Sequence, residues 1–166
     1  GKVTIKGAGN VTITVKTAEG KEYKAGSGSY VLNIAKAANA VTASNIKKTT
    51  AGKAQKVSIG AKTKAAAALT YKSSDTSVKV SSKGVVTIPK NFVGTSTITI
   101  TSKETANYKA ASKQITVTVN PKSTTLAKLT NPSKLKIAVS WKRNSKATGY
   151  QIQYAANSKL SSTKQV

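Results

Sequence analysis

One stretch of the chain is repeated 85 residues further on, and this repeat limits the possible fold more than any other feature. Residues 12–15 (Thr-Ile-Thr-Val) align with residues 97–100 (Thr-Ile-Thr-Ile), and residues 23–25 align with residues 108–110, both Tyr-Lys-Ala. The same offset places Tyr30, Leu32 and Ile34 onto Ile115, Val117 and Val119. A unit of this length is too long for a solenoid repeat and has the size of one β-sandwich domain. The chain is therefore predicted to be part of a domain array and to begin inside one unit.

In the middle of the chain the apolar residues follow a period of two. The alternating positions are Val57, Ile59 and Ala61, then Leu69 and Tyr71, Val78 and Val80, Val86 and Ile88, Ile98 and Ile100, and Ile115, Val117 and Val119. Such alternation, with many β-branched residues, is typical of strands that are buried on one face. Turn-forming residues separate the runs at residues 73–75, 81–84 and 89–91, and the Ala-rich residues 64–68 are predicted to form a loop. The pattern predicts an all-β fold of the sandwich type.

The composition argues against the commonest catalytic and metal-binding chemistry. The sequence contains no His and no Cys, the usual ligands of zinc, copper, haem and iron–sulfur clusters and frequent partners in nucleophilic catalysis. The four acidic residues, Glu19, Glu22, Asp75 and Glu104, are scattered and do not match a calcium loop. We therefore expect no enzymatic activity, no cofactor, and no catalytic, cofactor-binding or metal-binding residues.

A run of motifs in the middle of the chain carries a family resemblance. The motifs are Leu-Thr-Tyr-Lys-Ser-Ser-Asp (69–75), Ser-Val-Lys-Val (77–80), Gly-Val-Val-Thr-Ile (84–88), Gly94 and Thr-Ile-Thr-Ile (97–100). In order and spacing they resemble the bacterial immunoglobulin-like domains of group 2, although Tyr71 stands where tryptophan is common and Lys79 lies inside the Ser-Val strand. The resemblance implies a complete immunoglobulin-like domain over residues 37–120 and the C-terminal half of another over residues 1–36. In that half, residues 3–5 take the place of the Gly-Val-Val-Thr-Ile strand.

The pattern changes in the C-terminal part of the chain. Residues 123–132 are polar and are predicted to form a linker with a first short strand. Apolar residues then alternate on either side of a turn over residues 142–149: Leu135, Ile137, Val139 and Trp141, then Tyr150, Ile152 and Tyr154. This arrangement resembles the opening strands of a fibronectin type III domain, with Trp141 as its core tryptophan. The resemblance implies a linker and N-terminal fibronectin-like strands over residues 121–166, so the predicted fold is tandem immunoglobulin-like β-sandwiches with partial domains at both ends.

Positive charge dominates the chain. Lys and Arg number 28 against four Asp and Glu, which gives a net charge of +24, and Arg143 is the single arginine. One interpretation is a solvated surface that keeps a β-protein monomeric, with lysines protecting edge strands. The other is contact with an anionic polymer such as teichoic acid, capsule or acidic mucin glycans. The scarcity of arginine argues against sequence-specific binding of nucleic acid.

Aromatic residues allow two further predictions. Tyr71, Trp141, Tyr150 and Tyr154 fall on inward-facing strand positions and are predicted to belong to the core rather than to a stacking surface. The repeated Tyr-Lys-Ala segment either marks a repeated binding patch or forms a repeated structural corner, with the tyrosine hydroxyl bonded to nearby backbone. We expect the structural corner.

These observations favour a non-catalytic spacer or adhesive segment of a bacterial cell-surface or secreted multidomain protein, expected from a Gram-positive bacterium. Its expected partners are anionic cell-wall or host glycans and the neighbouring repeats, without a membrane span, since no apolar run approaches the required length. One alternative is an accessory region of an extracellular enzyme that degrades polysaccharide or protein. Another is a subunit of an extracellular filament, in which strand exchange completes the partial domains.

Overall fold

The computed structural model describes residues 2–134, 136–154 and 164–165, and these residues form an all-β structure. The strands are β1 (Gly9–Thr17), β2 (Gly26–Ile34), β3 (Val41–Thr42), β4 (Ile46–Thr49), β5 (Gln55–Ser58), β6 (Lys62–Thr63), β7 (Leu69–Ser73), β8 (Lys79–Val80), β9 (Val85–Ile88), β10 (Gly94–Ser102), β11 (Ala111–Asn120), β12 (Leu126–Ser133), β13 (Lys136–Trp141), β14 (Gln153–Tyr154) and β15 (Lys164–Gln165). We refer below to an N-terminal segment (residues 2–36), a central segment (residues 37–120) and a C-terminal segment (the described residues from 121 onward). The predicted all-β class is confirmed.

The central segment is sandwich-like. One sheet has the strand order β4-β11-β10-β7, a second has the order β5-β9-β8, and β3 pairs with β6. Because side chains alternate between the two faces of a strand, every second residue is buried from Ser96 to Ser102 in β10 and from Ile115 to Val119 in β11. The core takes residues from both larger sheets: Val41, Ile46, Val78, Val86, Ile88, Ile98, Ile100, Ile115, Val117 and Val119. Most of the apolar alternation in the sequence therefore marks the core correctly.

The turns that separate these strands form where the sequence predicts them. Gly84 N donates to Ser81 O over 2.9 Å, and Phe92 N approaches Pro89 O at 3.4 Å. Asp75 accepts a hydrogen bond from Ser77 N through Oδ1, at 2.7 Å, which places this acid in a turn. Residues 64–68 form neither helix nor strand, as predicted.

Strand β4, near the start of the central segment, runs in the same direction as β11, its last strand. Strand β4 pairs in parallel with the end of β11, and Thr50 N extends the ladder by donating to Asn120 O at 2.8 Å. A second parallel attachment lies nearer the start of the segment. There, Ala37 N donates to Asn107 O at 2.8 Å, and Lys109 N donates to Ala37 O at 2.9 Å. The first residues of the central segment are thus bonded at two places to the β10–β11 hairpin, with which the segment ends.

A polar group is buried beside this core and is fully bonded. Ser102, at the end of β10, has 0% exposure, and its hydroxyl accepts a hydrogen bond from Asn39 Nδ2 at 2.9 Å. The Asn39 side-chain oxygen accepts from Thr63 Oγ1 at 2.9 Å and from Ala65 N at 3.1 Å. Asn39 therefore connects the start of the segment with β6 and β10, and it satisfies polar atoms that are costly to bury alone.

The N-terminal segment repeats the hairpin of the central segment strand for strand. Gly9 and Gly94, which open the two hairpins, have φ angles of 138° and 142°, a region that side chains strongly disfavour. The corner beyond the first strand is repeated too, since Gly20 N donates to Tyr23 O and Thr105 N to Tyr108 O, both at 2.9 Å. The paired residues correspond at an offset of 85, from Gly9↔Ile34 and Gly94↔Val119 to Thr17↔Gly26 and Ser102↔Ala111. The predicted corner is thus present, held by backbone bonds rather than by the expected hydroxyl bond.

The two hairpins differ in burial. Val15 is 67% exposed, whereas Ile100 at the equivalent position is fully buried, and Tyr30 is 69% exposed whereas Ile115 is 1% exposed. Residues 3–5 lie where β9 lies in the central segment, but they form no strand. The reason is that a strand needs a paired neighbour, and within the described residues nothing equivalent to β5 or β8 lies beside them.

The N-terminal and central segments meet at a small joint. Ala8 N donates to Asn107 Oδ1 at 2.9 Å. Gly7 packs so closely there that an added Cβ atom would lie 2.8 Å from the same oxygen. Lys36 forms an ion pair with Glu104 at the edge of the joint.

The C-terminal segment agrees with its prediction in part. Strand β12 lies where the sequence predicts a first short strand, although with 8 residues it takes up most of the expected linker, and it pairs antiparallel with β13 and includes Pro132. Proline is tolerated because this two-stranded sheet consists of edge strands, one of which shows register shifts. Tyr150 and Tyr154 are exposed instead of lying in a core, because the described strands of this segment form only the two-stranded sheets β12–β13 and β14–β15, which are too small to enclose a core. Trp141 is half-buried, and the centroid of its ring lies 5.3 Å from the centroid of the Tyr150 ring. Tyr71 packs against the central core, as predicted. The prediction for Leu135 falls outside the described residues.

Candidate functional site

The acidic residues do not gather into a site. Among the residues that the structure describes, no three His, Cys, Asp or Glu side chains lie close enough together to hold a metal ion. Asp75 bonds to its own turn, and Glu104 pairs with Lys36. These groups have local structural contacts, and the geometry suggests no catalytic arrangement around them.

Two sheet faces are open and apolar. The first forms a groove of about 360 Å³ on the N-terminal segment, lined by Val3, Ile5, Val11, Leu32 and Ile34. The second forms a groove of about 460 Å³ on the C-terminal segment, where Leu126, Leu129, Ile137, Val139, Trp141 and Tyr154 contribute apolar surface. Exposed apolar area of this kind is typical of a surface that another element covers.

A third concave surface is lined mostly by residues with polar or charged side chains and lies between the central and C-terminal segments. It has a volume of about 530 Å³ and is named here the basic cleft. Four of its thirteen lining residues are cationic, and none is acidic. The cations are Lys122, Lys142, Arg143 and Lys146, and they face Thr50 and Asn91 of the central segment.

The elements around the basic cleft explain its position. Thr50 directly follows β4, and Asn91 lies in the turn between β9 and β10, with a φ angle of 57°. On the opposite side, Lys142 directly follows β13 and begins the loop that also carries Arg143 and Lys146. Both walls therefore consist of loops at strand ends, which is where binding residues are commonly found.

The loop with three of the cations is held in shape by its own hydrogen bonds. Asn144 is the centre of these bonds, with Nδ2 donating to Lys122 O and Oδ1 accepting from Lys146 N, both at 3.0 Å. The Tyr150 hydroxyl accepts from Asn144 N and donates to Asn144 O. Thr124 Oγ1 donates to Lys142 O at 2.6 Å. The loop is thus tied both to the start of its segment and to the aromatic pair behind it.

One hydroxyl group in the wall of the cleft lacks a partner. Thr50 Oγ1 is buried and makes no hydrogen bond within the described structure. Buried polar atoms are seldom left without a partner, and a hydroxyl can donate to an anion. The lining of the cleft combines several positive charges with polar side chains, an arrangement suited to an oxyanion.

The sequence predicted basic surface in general and did not single out this cleft. The available signal was the sequence Lys-Arg-Asn-Ser-Lys at residues 142–146, which was assigned only to a turn. What could not be seen was that residues 50–52 and Asn91 lie opposite that turn. None of the residues that line the cleft is aromatic, so the tyrosines and the tryptophan do not form a stacking surface there.

No helix among the described residues has the length and apolar character that a membrane crossing requires. A scan against models of known protein families found no match for the chain, and a search of curated proteins found no similar one.

Proposed function

We propose that the chain is a non-catalytic spacer segment of a bacterial cell-surface or secreted multidomain protein, which presents a basic surface to anionic polymers. In this proposal it consists of tandem immunoglobulin-like sandwiches followed by fibronectin-like strands, with partial domains at 1–36 and 121–166 around a complete one at 37–120. The observation that carries the proposal is the hairpin repeated at an offset of 85 residues, in the same register. Repetition of one unit in line is the usual way to build length rather than a reaction site.

The strand order of the central segment supports a mechanical role. Because β4 and the end of β11 are parallel, tension applied to the two ends of the segment pulls these strands past each other along their length. All hydrogen bonds between β4 and β11, including the bond from Thr50 N to Asn120 O, are then loaded at the same time and oppose the sliding of the two strands together. The attachment of Ala37 to Lys109 is parallel as well and resists in the same direction. In an antiparallel hairpin pulled apart at one end, the bonds break one after another.

Single-molecule pulling tests the spacer proposal. We expect the chain, stretched between its ends, to release the central segment in one step at a force well above that for unzipping the β10–β11 hairpin. The control uses Thr95→Cys and Thr118→Cys, a pair at the open end of the hairpin, as attachment points, which the absence of other cysteines makes unique. Equal forces in the two directions, or smooth extension from the ends, would contradict the proposal.

A second candidate function is that of a filament subunit. The open apolar faces of the terminal segments favour it, because a strand from a neighbouring chain can cover such a face. Native mass as a function of protein concentration separates the two functions. A spacer is expected to remain monomeric, whereas a filament subunit assembles as concentration rises.

A further inference from the structure

The concentration of positive charge in the basic cleft exceeds that of the chain as a whole. Four of its thirteen lining residues are cationic, compared with 28 of 166 in the sequence, and no acid offsets them. Positive charges gathered around one concave surface attract an anion to it. The cleft is therefore the concave surface on which an anion would meet the most cationic residues.

The loop bonds make the cleft a formed site rather than a collection of free lysine side chains. The bonds of Asn144 and the contact of Tyr150 fix the backbone from which Lys142, Arg143 and Lys146 project. A guanidinium group such as that of Arg143 can donate two parallel hydrogen bonds to a phosphate or sulfate. A site whose backbone is already ordered loses less entropy when a ligand binds.

The size and lining of the cleft restrict the class of ligand. A volume of about 530 Å³ lies within the usual range for small-ligand sites, so the cleft admits a charged group together with the sugar or polyol that carries it. Proteins that bind single-stranded nucleic acid combine positive charge with aromatic side chains that stack on bases. Because no aromatic side chain lines the cleft, the lining favours a ligand without bases.

We infer that the basic cleft binds the phosphate or sulfate esters of a polymer that is not a nucleic acid, with Lys122, Lys142, Arg143 and Lys146 as the charged contacts. Asn91 supplies a polar contact from the opposite wall. This inference assigns the binding of anionic polymers to one cleft, and it rests on the proposed function for the negative charge of the ligand. It adds a defined site to a surface that would otherwise attract polyanions without preference.

The test compares two variants with the same net charge. In the cleft variant, Lys142→Gln, Arg143→Gln and Lys146→Gln remove three cations from the site. In the control variant, Lys16→Gln, Lys56→Gln and Lys113→Gln remove three exposed lysines that lie outside it. Calorimetric titration at low and physiological salt uses three probes of equal charge: a poly(glycerol phosphate) oligomer, a heparin oligosaccharide and an oligothymidylate. Circular dichroism establishes that each variant is folded. If the triple cleft variant does not fold, the single variant Arg143→Gln takes its place in the titrations.

We expect the cleft variant to lose at least about tenfold in affinity for the phosphate or the sulfate polymer, while the control variant changes by less than about threefold. The polymer that binds more tightly at physiological salt identifies the source of the ester. Equal losses in the two variants would overturn the cleft and leave the general basic surface standing. An absence of binding by the unaltered chain at low salt would overturn both proposals. Equally tight, cleft-dependent binding of the oligothymidylate would overturn the exclusion of nucleic acid.

Discussion

The hairpins β1–β2 and β10–β11 have the same strand limits and register, yet one is open to solvent and the other forms the centre of a core. Both are flanked by the same backbone features, the glycines of positive φ and the corner closed by a tyrosine carbonyl. The comparison separates two contributions to β-structure. Pairing and register follow from local sequence, whereas burial depends on strands that lie far away in the chain.

The covering strands account for the difference. In the central segment, β4 and β7 flank the hairpin within its own sheet, and β5, β9 and β8 provide the facing sheet. Among the described residues no further strand pairs with β1 or β2, which form a two-stranded sheet. The same substitution at equivalent positions of the two hairpins therefore measures how much the flanking and facing strands contribute to stability.

The largest expected difference is between Ile98→Ala and Ile13→Ala, the same substitution at the same register position. Ile98 is fully buried, so its truncation should lower the free energy of unfolding of the central segment by about 2–5 kcal/mol. Ile13 is only half-buried, and its truncation should cost less than about 1 kcal/mol. Guanidinium denaturation followed by circular dichroism measures the first effect, and amide hydrogen exchange in β1 and β2 measures the second. Equal losses would show that β1–β2 is covered in solution.

The next comparison concerns hydroxyl groups at the end of the first strand. Ser102→Ala leaves the buried Asn39 amide without an acceptor and should cost about 1–3 kcal/mol in the same denaturation measurement. Thr17, the equivalent residue, is exposed and bonds to Gly26 across the strand end. Thr17→Ala should change stability by less than about 0.5 kcal/mol. A small effect of Ser102→Ala would mean that Thr63 can take over the bond to Asn39.

The glycines that open the hairpins should behave alike. Gly94→Ala and Gly9→Ala each force a side chain into a disfavoured backbone region, at a cost of about 1–2 kcal/mol in the local stability of the hairpin. Hydrogen exchange of the adjacent strand amides measures both effects in one experiment. If only Gly94→Ala were destabilising, the positive φ angle of these glycines would depend on the strands that cover the hairpin and not on local sequence.

The smallest expected effect belongs to the acids Glu104 and Glu19, which also correspond at the offset of 85. Glu104→Gln removes an exposed ion pair with Lys36 and should cost about 0.2–1 kcal/mol, less at high salt. Thermal melting at two salt concentrations detects this loss. Glu19→Gln is the matched control, and we expect no salt-dependent loss of stability from it.

Much of the central segment could be predicted because each of its strands and turns is marked by a pattern of residues close together in the sequence. Strictly alternating apolar residues marked β10 and β11, and Ser, Gly, Asn and Pro marked the turns between strands. The prediction was wrong where alternation was weak or where partners decide the outcome. Residues 3–5 have the composition of a strand but form none, and the strand predicted in residues 123–132 is longer than expected because Pro132 and its polar residues obscured its extent.

The basic cleft could not have been predicted from the same information. Its cations come from residues 122 and 142–146, but its opposite wall comes from residues 50–52 and Asn91. No periodic pattern links stretches so far apart in sequence, and the composition reports only the total charge. The assignment of the aromatic residues to a core also required knowledge of the covering strands, which is why it held for Tyr71 and was wrong for Tyr150 and Tyr154.

The joint between Gly7 and Asn107 has a consequence for how such an array can grow. At an offset of 85, Phe92 stands at the position of Gly7, and Glu22 stands at the position of Asn107. A duplicated central segment would thus bring a phenylalanine to a place where even one added carbon lies 2.8 Å from the Asn107 side chain. A copy of the central segment set in front of another would therefore need a change in one of these two loops to make the same joint.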